Sequence, residues 1–277
     1  MYLKLILLLL PFKLLACSNF LVVLVEAPHF NYSCNRAFLK TIAKHPSNGS
    51  KNGDVGHAWI YLQGYLEGQL VTLEGGHSGE LGHSQAKYFE GIQNYLQYGY
   101  ANPTVKQKQA PRYEPNPCKY LWSTLYDGFF QEGAGGHRPT YAAAFPLTSD
   151  QFQCICDKVQ TYDFSKYSLT EHQCCSFVRD IASCIGVHLN IDETLHIEPT
   201  LRLRGVCQRL WQDPSYSLLN FQSPDQLEAS LKEAVSSGYA TPALSWYFHY
   251  RRPSSKSWRE AWLFPKRMQR ALFFKMA

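Results

Sequence analysis

Residues 167–186 read YSLTEHQCCSFVRDIASCIG, and the spacing of their apolar positions decides the fold. At helical pitch Cys174, Val178, Ile181 and Ile185 fall within about 60° of arc, which is one buried stripe. The pattern predicts a helix over roughly residues 172–185, stopped by Gly186. Cys174 sits at the centre of that stripe and faces the core, with Cys175 about 100° round the helix. A helix N-terminus stabilises a thiolate through its macrodipole and unpaired N–H groups. The same amides can hold the oxyanion of an acyl-transfer intermediate. If one thiol is catalytic it is Cys174. The competing reading is a small buried hydrophobe, since free cysteine is among the most buried residue types.

A nucleophilic cysteine needs a base, and His57 in Gly56-His57-Ala58-Trp59-Ile60 opens a strand that would hold its ring. The arms HAWIYL and QLVTLE flank a turn around residues 64–68 and read as a hairpin, which the Gly-rich stretch from Gly75 to Gly82 leaves. A third polar group should orient the imidazole. Pairing of residue 57 with 75 would bring His77 beside it; pairing with 74 would bring Glu74.

Elsewhere FLVVLV at 20–25 reads as a buried strand, and residues 45–54 and 102–117 as loops. Thr148-Ser149-Asp150-Gln151 is a capping box opening a helix with Phe152, Ile155, Cys156 and Val159 on one face. Ser223-Pro224-Asp225-Gln226 opens another. Early strands and later helices predict an α+β fold: an antiparallel sheet packed on helices, with a C-terminal helical extension.

The chain has 277 residues, 45% apolar and 18% charged, with a net charge of +5. That excess is local: Arg251 onward carries eight Lys/Arg against Glu260 alone, so a nucleic-acid-binding body is not expected. The tail interleaves Trp258, Trp262, Phe264, Phe273 and Phe274 with basic residues, a composition suited to a membrane surface or to docking on the domain. Residues 1–17, MYLKLILLLLPFKLLAC, read as an export signal, with Lys4, an apolar run at Leu5–Leu10, and a lipobox that makes Cys17 a lipidation site. The rival is an uncleaved anchor running to Val25, which would hold Lys13 near mid-membrane. Eight cysteines remain beyond Cys17, and export would permit their oxidation. Zinc is the alternative for His77, His83, His172, Cys174 and Cys175. Adjacent cysteines are poorly placed to share one ion, and no C-x-x-C occurs. Gly133-Ala-Gly-Gly136 is not a phosphate loop, because no GK[ST] follows it.

GHAWI, Tyr98-Gly99-Tyr100 with Pro103, the Pro146-Leu-Thr-Ser-Asp-Gln helix start and the opening segment resemble the bacterial Lnb N-terminal periplasmic domain family. That family is similar to circularly permuted papain-like proteins, among them NlpC/P60-like hydrolases and lecithin–retinol acyltransferase-like enzymes. The resemblance covers roughly residues 20–190. It implies a permuted papain-like domain over 18–200 and an extension over 201–277, with the base His57 preceding the nucleophile Cys174. Members typically carry Asn-Asn-Cys-Thr where this chain has His172-Gln173-Cys174-Cys175. The implied activity is a cysteine-dependent acyl hydrolase or acyltransferase of the cell envelope, periplasmic or lipid-anchored. It would act on peptide or lipid substrates, with no cofactor. The alternative is an inactive papain-like binding or scaffold module.

Overall fold

The computed structural model describes residues 19–37, 55–79, 116–203 and 206–250. The expected signal and Cys17, His83, the 45–54 loop, Tyr98–Tyr100 and the basic-aromatic tail lie outside them.

The apolar run at the start becomes β1 (Phe20–Glu26), buried along its whole length. β2 (His57–Leu66) and β3 (Gln69–Ser78) form the hairpin. Its two-residue turn places both Glu67 (φ 51) and Gly68 (φ 77) in the left-handed region, as the twist of a tight hairpin demands. β4 (Phe129–Glu132), β5 (Tyr141–Pro146) and β10 (Thr241–Pro242) complete an antiparallel sheet of order β10-β5-β1-β2-β3-β4. β3 runs three residues past Gly75, where the sequence suggested the hairpin ended. Gly75 and Gly76 serve there by lacking a Cβ: one at Gly75 would strike Gln131 O and the Phe130 ring, and one at Gly76 would crowd Ala58 O.

Period-two alternation sorts β1 and β2 into two faces. Leu21, Val23, Val25, Ala58, Ile60 and Leu62 face α1 (Ser149–Thr161), α2 (Cys174–Ser183) and α3 (Pro224–Ser236), which bury Phe152, Ile155, Phe177, Ile181, Leu227 and Leu231 against them. Each Val, Leu, Ile or Phe among them contributes about 1.5–3 kcal/mol when taken fully from water. Phe20, Val22, Leu24, Trp59 and Tyr61 face the other way, onto the short α4 (Leu244–Tyr250) through Trp246. The helix starts read from sequence form as hydrogen bonds. Thr148 Oγ1 accepts from Gln151 N–H at 3.2 Å and Gln151 Oε1 accepts from Thr148 N–H at 3.0 Å.

Beyond residue 200 the chain is not only helical. β6 (Asp192–His196) pairs with β9 (Leu218–Gln222), and β7 (Thr200–Leu203) with β8 (Val206–Arg209). The expected division at 200 cuts between the partners β6 and β9. β10 is the edge strand of the main sheet, and α3 closes its core, so residues 206–250 are built into the same body. Among the described residues no helix is long and apolar enough to cross a membrane.

Candidate active site

α2 begins at Cys174, two residues later than the periodicity suggested, because its cap is Gln173. That side chain folds back so that Oε1 accepts from Cys175 N–H at 3.4 Å. Its Nε2 donates to Gln222 O at 2.5 Å and Leu169 O at 3.3 Å, which fixes the amide's orientation. Ser176 answers by accepting from Gln173 N–H at 2.6 Å. Orphan donors of the first turn are thereby satisfied and the helix start is locked to the end of β9.

Cys174 is 3% exposed. Its sulfur lies 4.0 Å from Cys175 Sγ and 3.1 Å from Gln173 Oε1, to which the thiol donates. The Cys175 S–H, then the His57 imidazole and the Ala58 N–H, hold the Cys174 thiol well below the ordinary value, against the opposing effect of burial. Gln173 Oε1 favours the protonated thiol, so the lowering depends on those three partners. Cys175 moves the other way: burial first, and then Cys174, push its thiol well up. Cys174 is therefore the thiol of the pair that ionises.

His57 is the first residue of β2, directly opposite Glu26 on β1. Its ring stacks on Trp59, with centroids 5.7 Å apart, and on His137, at 4.6 Å with planes inclined by 28°. His137 Nδ1 in turn pairs with Glu26 Oε2 at 2.5 Å, and that carboxylate is buried. The His57 Nε2 is buried without a hydrogen-bond partner among the described residues. The imidazole nonetheless reaches the Cys174 sulfur, lowering the thiol's pKa both by a side-chain hydrogen bond and by its charge.

The hydrogen bonds described for the two residues expected to orient His57 run to other partners. The ladder pairs Ile60 with Gly75 and Tyr61 with Glu74, so His57 opposes neither 75 nor 74. Continued by the same register, His57 faces Ser78 and Ala58 faces His77, which puts the His77 side chain on the opposite face from His57. Glu74 Oε1 instead accepts from Tyr247 O–H at 2.7 Å. His77 donates from Nε2 to Phe164 O at 3.2 Å and lies edge-on to the rings of Tyr162, Phe164, Tyr167 and His172. Burial, and secondly His172, push its pKa down to about 3. A ring held neutral in this way is a packing and hydrogen-bonding element. His172, ahead of the helix, is stacked on Tyr162 at 4.8 Å and bonds Asp163 O through Nε2 at 2.7 Å.

The residues missed from sequence are Glu26 and His137. The Gly133–Gly136 run held the signal: three of its residues have φ of 68°, 59° and 88°, and this left-handed turn returns the chain so that His137 lies against His57. All eight described cysteines are free thiols. Among the described residues no group of three or more His, Cys, Asp or Glu is disposed to hold a metal ion. No family model, curated protein or solved structure matches the chain.

Proposed function

We propose that this chain is an exported cysteine-dependent acyl hydrolase or acyltransferase of the cell envelope, built on a circularly permuted papain-like domain. The observation that carries this reading is the meeting of Cys174, at the start of α2, with His57 and the Ala58 N–H, at the start of β2. His57 takes the Cys174 proton, and the thiolate adds to an amide or ester carbonyl. The tetrahedral intermediate collapses to a thioester as the imidazolium gives its proton to the departing amine or alkoxide. Water, or a second nucleophile, then attacks the thioester and loses a proton to His57. The acyl group leaves on that nucleophile, and the proton returns to sulfur. His137 and Glu26 take the place expected for His77 or Glu74, acting on the His57 ring as positioning residues.

In this reading residues 1–17 export the chain, and lipidation of Cys17 or a retained apolar segment tethers it to the membrane. The chemistry uses protein groups alone.

One observation favours the rival, a binding or scaffold module: both reactive groups are nearly inaccessible, Cys174 at 3% and His57 at 4% exposure. Site-resolved alkylation of the thiols from about pH 5 to pH 9, read by mass spectrometry, separates the two. The enzyme reading expects Cys174 to react with a midpoint below that of an ordinary thiol, and His57→Ala to slow it. An inert Cys174, indifferent to His57, would favour the module.

A further inference from the structure

The hairpin of β2 and β3 ends in an apolar pair that the core does not use. Tyr65 and Leu70 face each other directly across the ladder, 51% and 49% exposed. Beside them the described chain begins: Asn19 Oδ1 accepts from Tyr65 N–H at 2.9 Å, and Asn19 O accepts from Leu147 N–H at 3.0 Å. The apolar residues 5–17 therefore connect to the body at this tip. From Cys17 to Phe20 the backbone reaches at most about 11 Å. Whatever holds Cys17 at a membrane also holds Phe20, at the tip end of the sheet, within that distance of it.

We propose that the hairpin tip rests in the lipid interface, with Tyr65 and Leu70 entering the headgroup layer beside the tethered N-terminus. Tyrosine suits that layer, having an apolar ring and a hydroxyl that stays wet. Two half-exposed side chains are too little to bind a bilayer alone, so the tether supplies attachment and the tip supplies orientation. Between Gln63 and Val71 the only charge is Glu67, so the contact does not depend on attraction to anionic lipid.

The orientation has a consequence for the substrate. β2 carries Tyr65 at one end and His57 at the other, eight residues apart. At strand rise that is about 26 Å, close to the thickness of a bilayer's hydrocarbon core. The Cys174–His57 site is held at the end of the sheet remote from the lipid. Its acyl substrate is a soluble or wall-borne peptide or ester that reaches the site through water, and not a chain lifted from the bilayer.

This inference rests on the membrane tether of the proposed function, and the test separates the two. The full chain carries benzoylphenylalanine in place of Tyr65 or Leu70, or in place of the exposed controls Tyr126 and Phe248, which lie towards the His57 end. Each variant is reconstituted on vesicles of phosphatidylethanolamine and phosphatidylglycerol, irradiated, and its adducts are mapped. Lipid adducts at 65 and 70, lost at 126 and 248, are expected. Adducts spread over all four positions, or cross-links from 65 to a second copy of the chain, overturn the proposal. Protein that stays off the vesicles overturns it at its premise. Alkylation of Cys174 in the same samples reports independently on the thiol–imidazole reading.

Discussion

His137 lies face to face with His57, ring centroids 4.6 Å apart, while its own Nδ1 is held by the buried carboxylate of Glu26. The His57 ring is thus stacked on a second imidazole, where a hydrogen-bonded third residue was expected. Exchanging His137 for phenylalanine should keep the stack and most of the Cys174 alkylation rate. His137→Ala should slow alkylation, and a rate equal to that of the parent would remove any positioning role.

Glu26→Gln tests the same unit from below. It removes a buried charge paired with His137 and is expected to destabilise the fold by about 1–3 kcal/mol in urea unfolding. A variant as stable as the parent would mean that the pair does not contribute to folding.

Cys175 exerts the largest lowering effect on Cys174. Cys175→Ala should therefore shift the Cys174 alkylation midpoint to higher pH, and Cys175→Ser, which restores a donor, should move it back. If both variants leave the midpoint unmoved, the activation belongs to His57 and Ala58 alone.

His77 gives the fold an acid limit. Its pKa is near 3 when folded, against about 6.5 in an unfolded chain, so the unfolded state takes up a proton first as pH falls. The stability involved is complete above about pH 6.5 and is lost progressively towards pH 3. Urea midpoints measured at about pH 7 and pH 4.5 should differ less in His77→Gln than in the parent. Equal differences would show that another group sets the acid limb.

Cys154, exposed on α1, and Cys184, at the C-terminal end of α2, are neighbours. Burial, and secondly the Cys154 thiol, push Cys184 up to about 12. Oxidised glutathione should link these two and leave Cys174 open to alkylation. Such a bridge typically contributes about 2–4 kcal/mol. A peptide map without the 154–184 pair would refute the prediction.

Much of this architecture was legible in short patterns. Phe20–Val25 announced a buried strand, Thr148–Gln151 a helix start, and the stripe through Cys174 the inner face of α2. Such features rest on contacts a few residues apart, which periodicity reports. The partner of His57 was harder to find, because it depends on which residues a hairpin pairs. A two-residue turn at Glu67–Gly68 sets Ile60 against Gly75, and that register turns His77 to the other face. Glu26 and His137 were harder still. They are 111 residues apart in sequence, and only the order of strands in the sheet, with the glycine turn before His137, brings them together.

The two groups of β2 that act on Cys174 are consecutive residues, the His57 ring and the Ala58 amide. The Ala58 amide is fixed in the backbone, whereas the His57 ring can turn about its own side-chain bonds and is kept in place by its stack on Trp59 and His137. A shift in the seating of α2 on the strand would instead weaken both influences together. With α2 lifted, the Cys174 thiol would lose both lowering influences and move back towards the ordinary value. A small molecule wedged between Ala58 and the first turn of α2 would silence the thiol without touching it.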